Sequence, residues 1–163
     1  MKEDAMNISR SVSTIAAAAL VLGLHGIPAS AKDDHVMTTP KEIEWGPGPA
    51  SIPDGAKAAT LYGNPGEEGL FALRLKLPAN YVLPPHRHPR PEVVTVVSGT
   101  FHIGMGEKIV RDKARALEAG SFFAFPPGMA HFAYTAEETV IQLNSTGPWG
   151  LTYVDPTDDP RTQ

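Results

Sequence analysis

The sequence predicts an all-β protein built as a single barrel or sandwich domain, and three observations predict it. Short apolar runs alternate with turn residues from about residue 59 onward, which is the pattern of many short strands. The chain holds 15 glycines and 16 prolines, which favour turns over a helical bundle. Its 163 residues, 42% of them hydrophobic, suffice for about one domain with a core of its own.

Composition also excludes several classes of site. The net charge is −4 and the sequence has no basic run, so it does not predict a surface for nucleic acid. The chain has no cysteine, which excludes disulfides, cysteine nucleophiles and thiolate metal ligands. Any metal site must therefore consist of imidazole and carboxylate groups.

The N-terminal region predicts a secretory signal peptide over residues 1–31. Thr14 to Leu24 is an uncharged run of 11 residues, too short to span a bilayer, which takes about 20. Arg10 precedes the run, and an Ala-x-Ala pattern follows it and ends at Ala31, as in Sec-type signals. We therefore expect cleavage after Ala31, export to the periplasm or the medium, and no stable membrane span. Translation from Met6 would remove two acidic residues that a signal peptide does not favour.

Residues 32–58 predict an extended arm, because proline, glycine and charged residues dominate them. The apolar residues Ile43 and Trp45 leave two possibilities open. They anchor the arm on the barrel or on a second subunit, which would make a homodimer, or the arm is a loose tail.

Residues 59–155 predict the barrel. Every second residue from Phe71 to Leu77 is a large hydrophobic one, a period of two that predicts a strand over 70–77. Other apolar runs bounded by turn residues predict strands over 60–62, 81–83, 92–97, 100–105, 121–125, 131–134, 139–143 and 151–154. Residues 113–119 favour a helix, and residues 156–163 predict a C-terminal tail.

Three histidines and a glutamate form the chemically most informative pattern. Residues two apart in a strand point to the same face, so His86 and His88 can reach one ion together. A bend in the proline-rich segment that follows can bring Glu92 to the same point, and the prolines place this segment at a strand end or a barrel rim. His131 follows a Pro-Pro-Gly turn that directs the chain into a new strand.

These residues lie in two motifs that resemble those of the cupin family. The motifs read His86-x-His88-x3-Glu92-x6-Gly99 and Gly120-x5-Pro126-x-Gly128-x2-His131. Asn80 stands where the first motif of the family opens with glycine, and Thr135 stands where the second ends with asparagine. Neither is a ligand position, so both departures bear on turn geometry. The resemblance covers about residues 59–154 and implies a single cupin barrel, the double-stranded β-helix or jelly roll.

The resemblance also implies that His86, His88, Glu92 and His131 hold one divalent metal ion. Burying a carboxylate without a cation is unfavourable, which favours a bound metal. Imidazole and carboxylate ligands suit Fe, Mn, Co, Ni, Cu or Zn, whereas Mg and Ca prefer oxygen ligands. If the chain folds after export, Cu and Zn are the ions expected to bind most tightly.

Further residues are candidates for the rest of the site. Arg74, Gln142 and Asn144 are polar residues within strand patterns, and facing the barrel interior they would contact a ligand or a substrate. Glu92 and Tyr134 are the candidate catalytic groups, and Tyr81 is a weaker one. The following residues are expected to be structural or solvated: Phe101, Phe123, Phe125 and Phe132 in the core, His102 in a strand, His35 in the arm, and Arg87 and Arg90 at the rim.

Two functions agree with this pattern. Cupins include dioxygenases, isomerases and decarboxylases of small molecules, so the resemblance implies a metal-dependent oxygenase or isomerase acting on a small molecule. The alternative is a non-catalytic module that binds or senses a metal or ligand, similar to the cupin half of some anti-sigma regulators. An open pocket with polar groups near the metal would favour the enzyme. A closed pocket with an exposed apolar patch would favour the module.

Overall fold

The structure is a computed structural model that describes residues 35–163. The predicted signal peptide, its cleavage site and the alternative start lie outside the described residues. Within the described part of the chain, no helix is long and apolar enough to cross a membrane.

The described residues form two antiparallel sheets. The strands are β1 Gly46–Pro47, β2 Lys57–Tyr62, β3 Gly69–Leu77, β4 Val82–Arg87, β5 Glu92–Ser98, β6 Thr100–Met105, β7 Arg115–Glu118, β8 Phe122–Phe125, β9 His131–Thr135, β10 Thr139–Gly147 and β11 Thr152–Tyr153. Short 3-10 helices span Arg111–Lys113, Pro156–Asp158 and Pro160–Thr162. The first sheet has the strand order β1-β2-β3-β10-β5-β8, and the second has the order β11-β4-β9-β6-β7.

The hydrophobic core lies between the two sheets. β3 and β10 pair along all nine residues of each strand. Buried positions alternate with half-buried ones along β10 and, in β3, from Phe71 to Leu77. The buried set includes Leu73 and Leu75 from β3 and Ile141 and Leu143 from β10. Because side chains alternate between the faces of a strand, this period of two directs the large apolar residues to the interior. Full burial of each such side chain stabilises the fold by about 1.5–3 kcal/mol.

The all-β class and the predicted barrel are confirmed, and each predicted strand overlaps an observed one. β4 continues through two prolines to Arg87, further than the sequence predicted. The prolines are tolerated because the pairing of β4 with β9 is irregular between Leu83 and His86. β10 extends to Gly147, and it pairs with a neighbour on each side.

The helix predicted over 113–119 is wrong. Arg111–Lys113 forms a 3-10 turn and Arg115–Glu118 forms β7. β7 pairs with β6 so that Leu117 lies opposite Phe101, and Leu117 is 7% exposed. Cross-strand pairing and burial of Leu117 override the weak helix propensity of this segment.

The described part of the arm is anchored on the barrel rather than loose. β1 pairs with β2, and the Lys76 ammonium lies 4.6 Å from the centre of the Trp45 ring on the outer face of the first sheet. Ile43 lines a shallow groove beside Ala59. Ile52, which the sequence pattern did not single out, is buried in the core. The arm therefore contributes to the interior as well as to the surface.

Several motif positions adopt left-handed backbone conformations, and Gly99 and Asn80 show what this requires. Gly99 has a φ of 72°, and a Cβ added there would lie 2.5 Å from the Glu138 carbonyl oxygen. Asn80 has a φ of 61°, and asparagine is one of the few residues that tolerate this region. Thr135 is buried and its hydroxyl donates to the Pro78 carbonyl at 2.7 Å. Both departures from the family motifs thus fit the turn between β3 and β4.

Candidate metal centre

Adjacent strands bring the predicted ligands together at one end of the barrel. His86 on β4 lies directly opposite His131 on β9. His88 comes just after β4, and Glu92 is the first residue of β5 in the other sheet. The site therefore lies between the two sheets, and all four side chains are buried.

The ligand atoms of these side chains converge. The three imidazoles place nitrogen atoms within 4.8 Å of one another. Nε2 of His86 lies 3.1 Å from Nε2 of His88, and Nε2 of His131 lies 3.1 Å from Oε2 of Glu92. The other carboxylate oxygen, Oε1, lies 3.6 Å from Nε2 of His88.

Backbone carbonyls fix the orientation of each imidazole ring. The Nδ1 atoms of His86, His88 and His131 lie 2.8 Å, 2.8 Å and 3.0 Å from the carbonyl oxygens of Pro84, Gly150 and Met129, respectively. A carbonyl oxygen only accepts hydrogen bonds, so each Nδ1 carries the proton and donates it. Each Nε2 of a neutral ring is then left with a lone pair that points into the site.

This arrangement fits a transition metal ion. The Nε2 atoms of His86 and His88 are 3.1 Å apart, and neither carries a proton that could bridge them. Oε2 of Glu92 is buried without a hydrogen-bond partner among the described residues. Such groups are unfavourable side by side unless a cation lies between them. Two nitrogen ligands about 2.0–2.1 Å from one ion and at right angles lie about 3 Å apart, close to the observed separation.

Burial favours the neutral form of the His86 and His88 imidazoles. Loss of solvent holds the pKa of His86 well below its ordinary value, and the neighbouring His131 and His88 lower it further. Burial also lowers the pKa of His88, against the opposing effect of the Glu92 carboxylate. Neutral imidazole is the form that binds a metal ion. The burial of these side chains therefore favours the protonation state in which they can act as metal ligands.

The site opens onto a small apolar cavity inside the barrel. The cavity has a volume of about 50 Å³, enough for a few water molecules at roughly 10–15 Å³ each. Its walls are mostly apolar and include Leu73, Leu75, Phe101, Ile141, Leu143 and Trp149. A ligand in this cavity would meet the four polar side chains at one end and hydrocarbon elsewhere.

Trp149 and its loop are site residues that the sequence analysis missed. The Trp149 ring stacks on the His88 ring, with centroids 4.2 Å apart and planes inclined by 21°. The next residue, Gly150, supplies the carbonyl that orients His88. The loop lies about sixty residues from His88 in the chain, and no motif spacing pointed to it.

A segment of the arm also lines the cavity. Ser51 and Ile52 form part of its wall. Two tyrosine hydroxyls hold this segment, since Tyr153 donates to the Ser51 carbonyl at 2.9 Å and Tyr81 donates to the Pro53 carbonyl. Tyr81 is therefore a structural anchor next to the cavity, and the arm closes part of the barrel interior.

Tyr134 does not reach the site, contrary to the prediction. Side chains alternate along β9, so His131 and Ala133 face the cavity while Tyr134 faces the outside of the second sheet. There it stacks on His102 with centroids 4.5 Å apart, and the Arg111 guanidinium lies over it at 4.6 Å. His102 is a strand residue on the outer face, as expected.

The predicted polar residues of β3 and β10 do not line the cavity either. Arg74 lies opposite Gln142 on the outer face of the first sheet. Its Nε donates to the Gln142 side chain at 3.1 Å, and the Gln142 amide donates to Asn144 at 3.3 Å. These residues satisfy one another in a half-buried row, while their neighbours in each strand point inward. The prediction of a polar barrel interior at these positions is wrong because it ignored the strand period.

The remaining charged and histidine residues that the sequence singled out occupy the periphery. Arg87 donates to the Gly128 carbonyl and pairs with Glu107, which ties β4 to the loop ahead of His131. Arg90 and His35 are exposed. Phe101 lines the cavity, whereas Phe132 is buried on the outer face of the second sheet against Gly104.

Comparisons with known proteins agree with this fold. A family model described as "Cupin domain" matches residues 73–143. Germin-like protein 3-1 of Oryza sativa subsp. japonica is 34% identical over 140 aligned residues, which cover 74% of this chain and 58% of that relative. The chain thus spans little more than half the length of this curated relative.

Solved structures of low identity share the architecture. The polyketide cyclase RemF from Streptomyces resistomycificus has a TM-score of 0.60 and 15% identity, covering 77% of this chain and 89% of that one. An RmlC-like cupin from Shewanella frigidimarina has a TM-score of 0.53 and 20% identity, covering 67% of this chain and 87% of that one. At these identities the likeness shows the fold alone.

Proposed function

The chain belongs to the cupin superfamily, and we propose that it is a metal-dependent oxygenase acting on a small molecule inside the barrel. The observation that carries the metal-dependent part of this proposal is the convergence of three imidazoles with a buried carboxylate oxygen of Glu92 that has no hydrogen-bond partner among the described residues. His86, His88, Glu92 and His131 would hold the ion. A bound transition metal would supply Lewis-acid or oxygen-activating chemistry at this end of the cavity.

The residues around the cavity favour an oxygenase over an isomerase. Isomerisation by proton transfer needs a positioned acid or base. Among the described residues that line the cavity, the ionisable side chains are those of the four proposed ligands. Glu92 is thus the candidate proton acceptor as well as a ligand, and the apolar walls would exclude bulk water from a reacting molecule.

The proposed cofactor is one divalent transition metal ion. The imidazole and carboxylate set suits Fe, Mn, Co, Ni, Cu or Zn. Export before folding would favour Cu or Zn, because these ions bind such sites most tightly. Metal analysis of periplasmic material tests this preference, and the finding of iron alone would contradict it.

Oxygen uptake tests the proposed activity. Metal-loaded protein would be screened in an oxygen electrode against organic molecules small enough to enter the apolar cavity. We expect one class of compound to drive O₂ consumption that is lost in His88→Ala and retained in His102→Ala. His102 is the matched control because it lies on the outer face of the same sheet. Equal uptake by the two variants would contradict the proposal.

A non-catalytic binding or sensing module is the second candidate. The small volume of the interior cavity favours it, as do exposed apolar side chains such as Phe122, which is 61% exposed. Such a module would bind metal as tightly as the enzyme and would turn over none of the compounds screened. Metal binding without O₂ consumption in a broad screen would support this candidate.

Export and assembly complete the proposal. We infer from the sequence of residues 1–31 that the protein acts in the periplasm or outside the cell. N-terminal sequencing of protein from the periplasmic fraction would show Lys32 first if cleavage follows Ala31. A homodimer through the arm is also proposed, and sedimentation velocity tests it.

A further inference from the structure

A second cleft lies between the free edges of the two sheets. β8 ends the first sheet and β7 ends the second. The gap between them holds a cleft of about 370 Å³, which falls in the range of about 300–1,000 Å³ typical of small-molecule sites. It is several times larger than the cavity beside the proposed metal ligands.

The walls of this cleft are apolar and aromatic. Phe122, Phe123 and Phe125 from β8 form one side, and Ile103 and Met105 from β6 lie across from them. The rings of Phe123 and Phe125 have centroids 4.7 Å apart. Phe122 is 61% exposed and Met105 is 50% exposed, so hydrocarbon surface stands in contact with water here.

Two cations stand at the rim of the cleft. Lys113 and Arg115 line it and are both exposed. Among residues 35–163, no carboxylate pairs with either of them, although Arg87 and Arg161 do have such partners. An apolar cleft with two unpaired cations at its edge is complementary to a molecule with an apolar body and one negative charge.

We propose that the cleft between β7 and β8 binds small aromatic carboxylates. The aromatic body lies between the phenylalanines of β8 and the side chains of β6, and the carboxylate faces Lys113 and Arg115. Aromatic rings at such walls stack in offset or edge-on arrangements, and a carboxylate accepts charge-assisted hydrogen bonds from both cations.

The proposed site is separate from the metal centre. None of the four proposed metal ligands lines the cleft. Phe125 lines the cleft and is in contact with the metal centre through its ring, whose centroid lies 5.1 Å from that of His131. Binding in the cleft should therefore survive removal of the metal, and its failure would leave the proposed metal-dependent function untouched.

Calorimetric titration with 2-naphthoate tests the proposal on the full chain. The matched neutral probe is 2-naphthalenemethanol, which has the same ring system without the charge. We expect naphthoate to bind with one site per chain and the alcohol to bind about tenfold more weakly, because two exposed ion pairs are lost. Added salt should weaken naphthoate binding more than alcohol binding.

Variants locate the site. Lys113→Gln with Arg115→Gln should weaken naphthoate binding about tenfold and leave alcohol binding unchanged. The control pair is Lys41→Gln with Lys57→Gln, which removes the same charge from exposed positions outside the cleft. Phe122→Ala, at an exposed position, should weaken both probes.

Four results would overturn the proposal. One is equal affinity for the acid and the alcohol, and another is equal naphthoate binding by the cleft pair and the control pair. The third is loss of naphthoate binding when a chelator strips the metal, since the carboxylate would then be a metal ligand. If a second copy of the chain covers the cleft, Phe122→Asp would dissociate a dimer in sedimentation experiments, and this outcome also contradicts the proposal.

Discussion

Single residues decide whether the motif turns form. Asn80 and Gly99 both have left-handed backbone, but only Gly99 would bring a Cβ against a backbone oxygen. We expect Asn80→Ala to lower the free energy of unfolding by about 1 kcal/mol through the left-handed strain alone. Gly99→Ala should lower it by about 2 kcal/mol or more, because the clash adds to the strain. Denaturant unfolding of the two variants measures the difference.

Asn80→Gly is the matched control for this comparison. Glycine relieves the strain but gains freedom in the unfolded chain, so we expect a change within about 0.5 kcal/mol. A fully tolerated Gly99→Ala would contradict the turn geometry described here.

The residue scale also shows where the sequence-based prediction failed. His131 and Tyr134 are three apart, an odd separation that places them on opposite faces of β9. Arg74 lies between Leu73 and Leu75, which face the interior, so its side chain lies on the outer face of β3. The strand period therefore contained the correct orientation of both residues. Their polar groups suggested a role in the site. On the outer face, however, Arg74 donates to Gln142 and Tyr134 stacks on His102.

At the scale of elements, the loop that carries Trp149 should control the metal site. Its ring packs on His88 and its neighbour Gly150 orients that imidazole. Groups that position metal ligands typically contribute about tenfold or more to affinity. We expect Trp149→Leu to weaken metal binding about tenfold, as measured by competition with a chelator.

Trp45→Leu is the control for this prediction, because Trp45 packs against Lys76 on the outer face of the first sheet. It should leave the metal affinity unchanged. Equal affinities of wild-type protein and Trp149→Leu would show that the loop does not position His88.

The two tyrosines that hold the arm segment should make the stability of the protein depend on alkaline pH. Burial raises the pKa of Tyr153 to about 12 and also raises the pKa of Tyr81. The folded state therefore keeps these hydroxyls protonated above the pH of about 10 at which an unfolded tyrosine ionises. Their contribution to stability is complete below about pH 10 and is lost as the pH rises toward 12.

Unfolding measurements between pH 8 and pH 12 test this dependence. Tyr153→Phe should be less stable than wild type at pH 8, because the Ser51 carbonyl loses its donor. The stability of this variant should then decline less steeply above pH 10. Tyr62→Phe, at an exposed position, should follow the wild-type curve. Identical slopes for wild type and Tyr153→Phe would contradict the prediction.

The elements also show what the sequence predicted well. The two motifs located His86, His88, Glu92 and His131. The structure groups the three imidazoles and places the Glu92 carboxylate beside His88 and His131. Local alternation predicted β3, and apolar runs bounded by turn residues predicted the strands beside it. The segment Arg115–Glu118 and the loop at Trp149 were missed, because their positions depend on partners distant in the chain. Local propensity contains no information on such contacts.

At the scale of the whole molecule, the metal ion should stabilise the barrel. The proposed ligands come from both sheets, so an ion that binds only the folded state links them. At a free concentration one hundred times its dissociation constant, an ion adds about 2.7 kcal/mol. We expect removal by a chelator to lower the melting temperature by roughly 10 °C, as measured by calorimetry. The same chelator should leave the melting temperature of His88→Ala unchanged, and an equal shift in that variant would contradict the prediction.

The central claim is that four side chains hold one ion within the barrel, and metal analysis of purified protein tests it most directly. The prediction is about one equivalent of a single transition metal per chain, retained in His102→Ala and lost in His131→Ala. Protein that binds no transition metal after incubation with each candidate ion, or a His131→Ala variant that keeps a full equivalent, would contradict it.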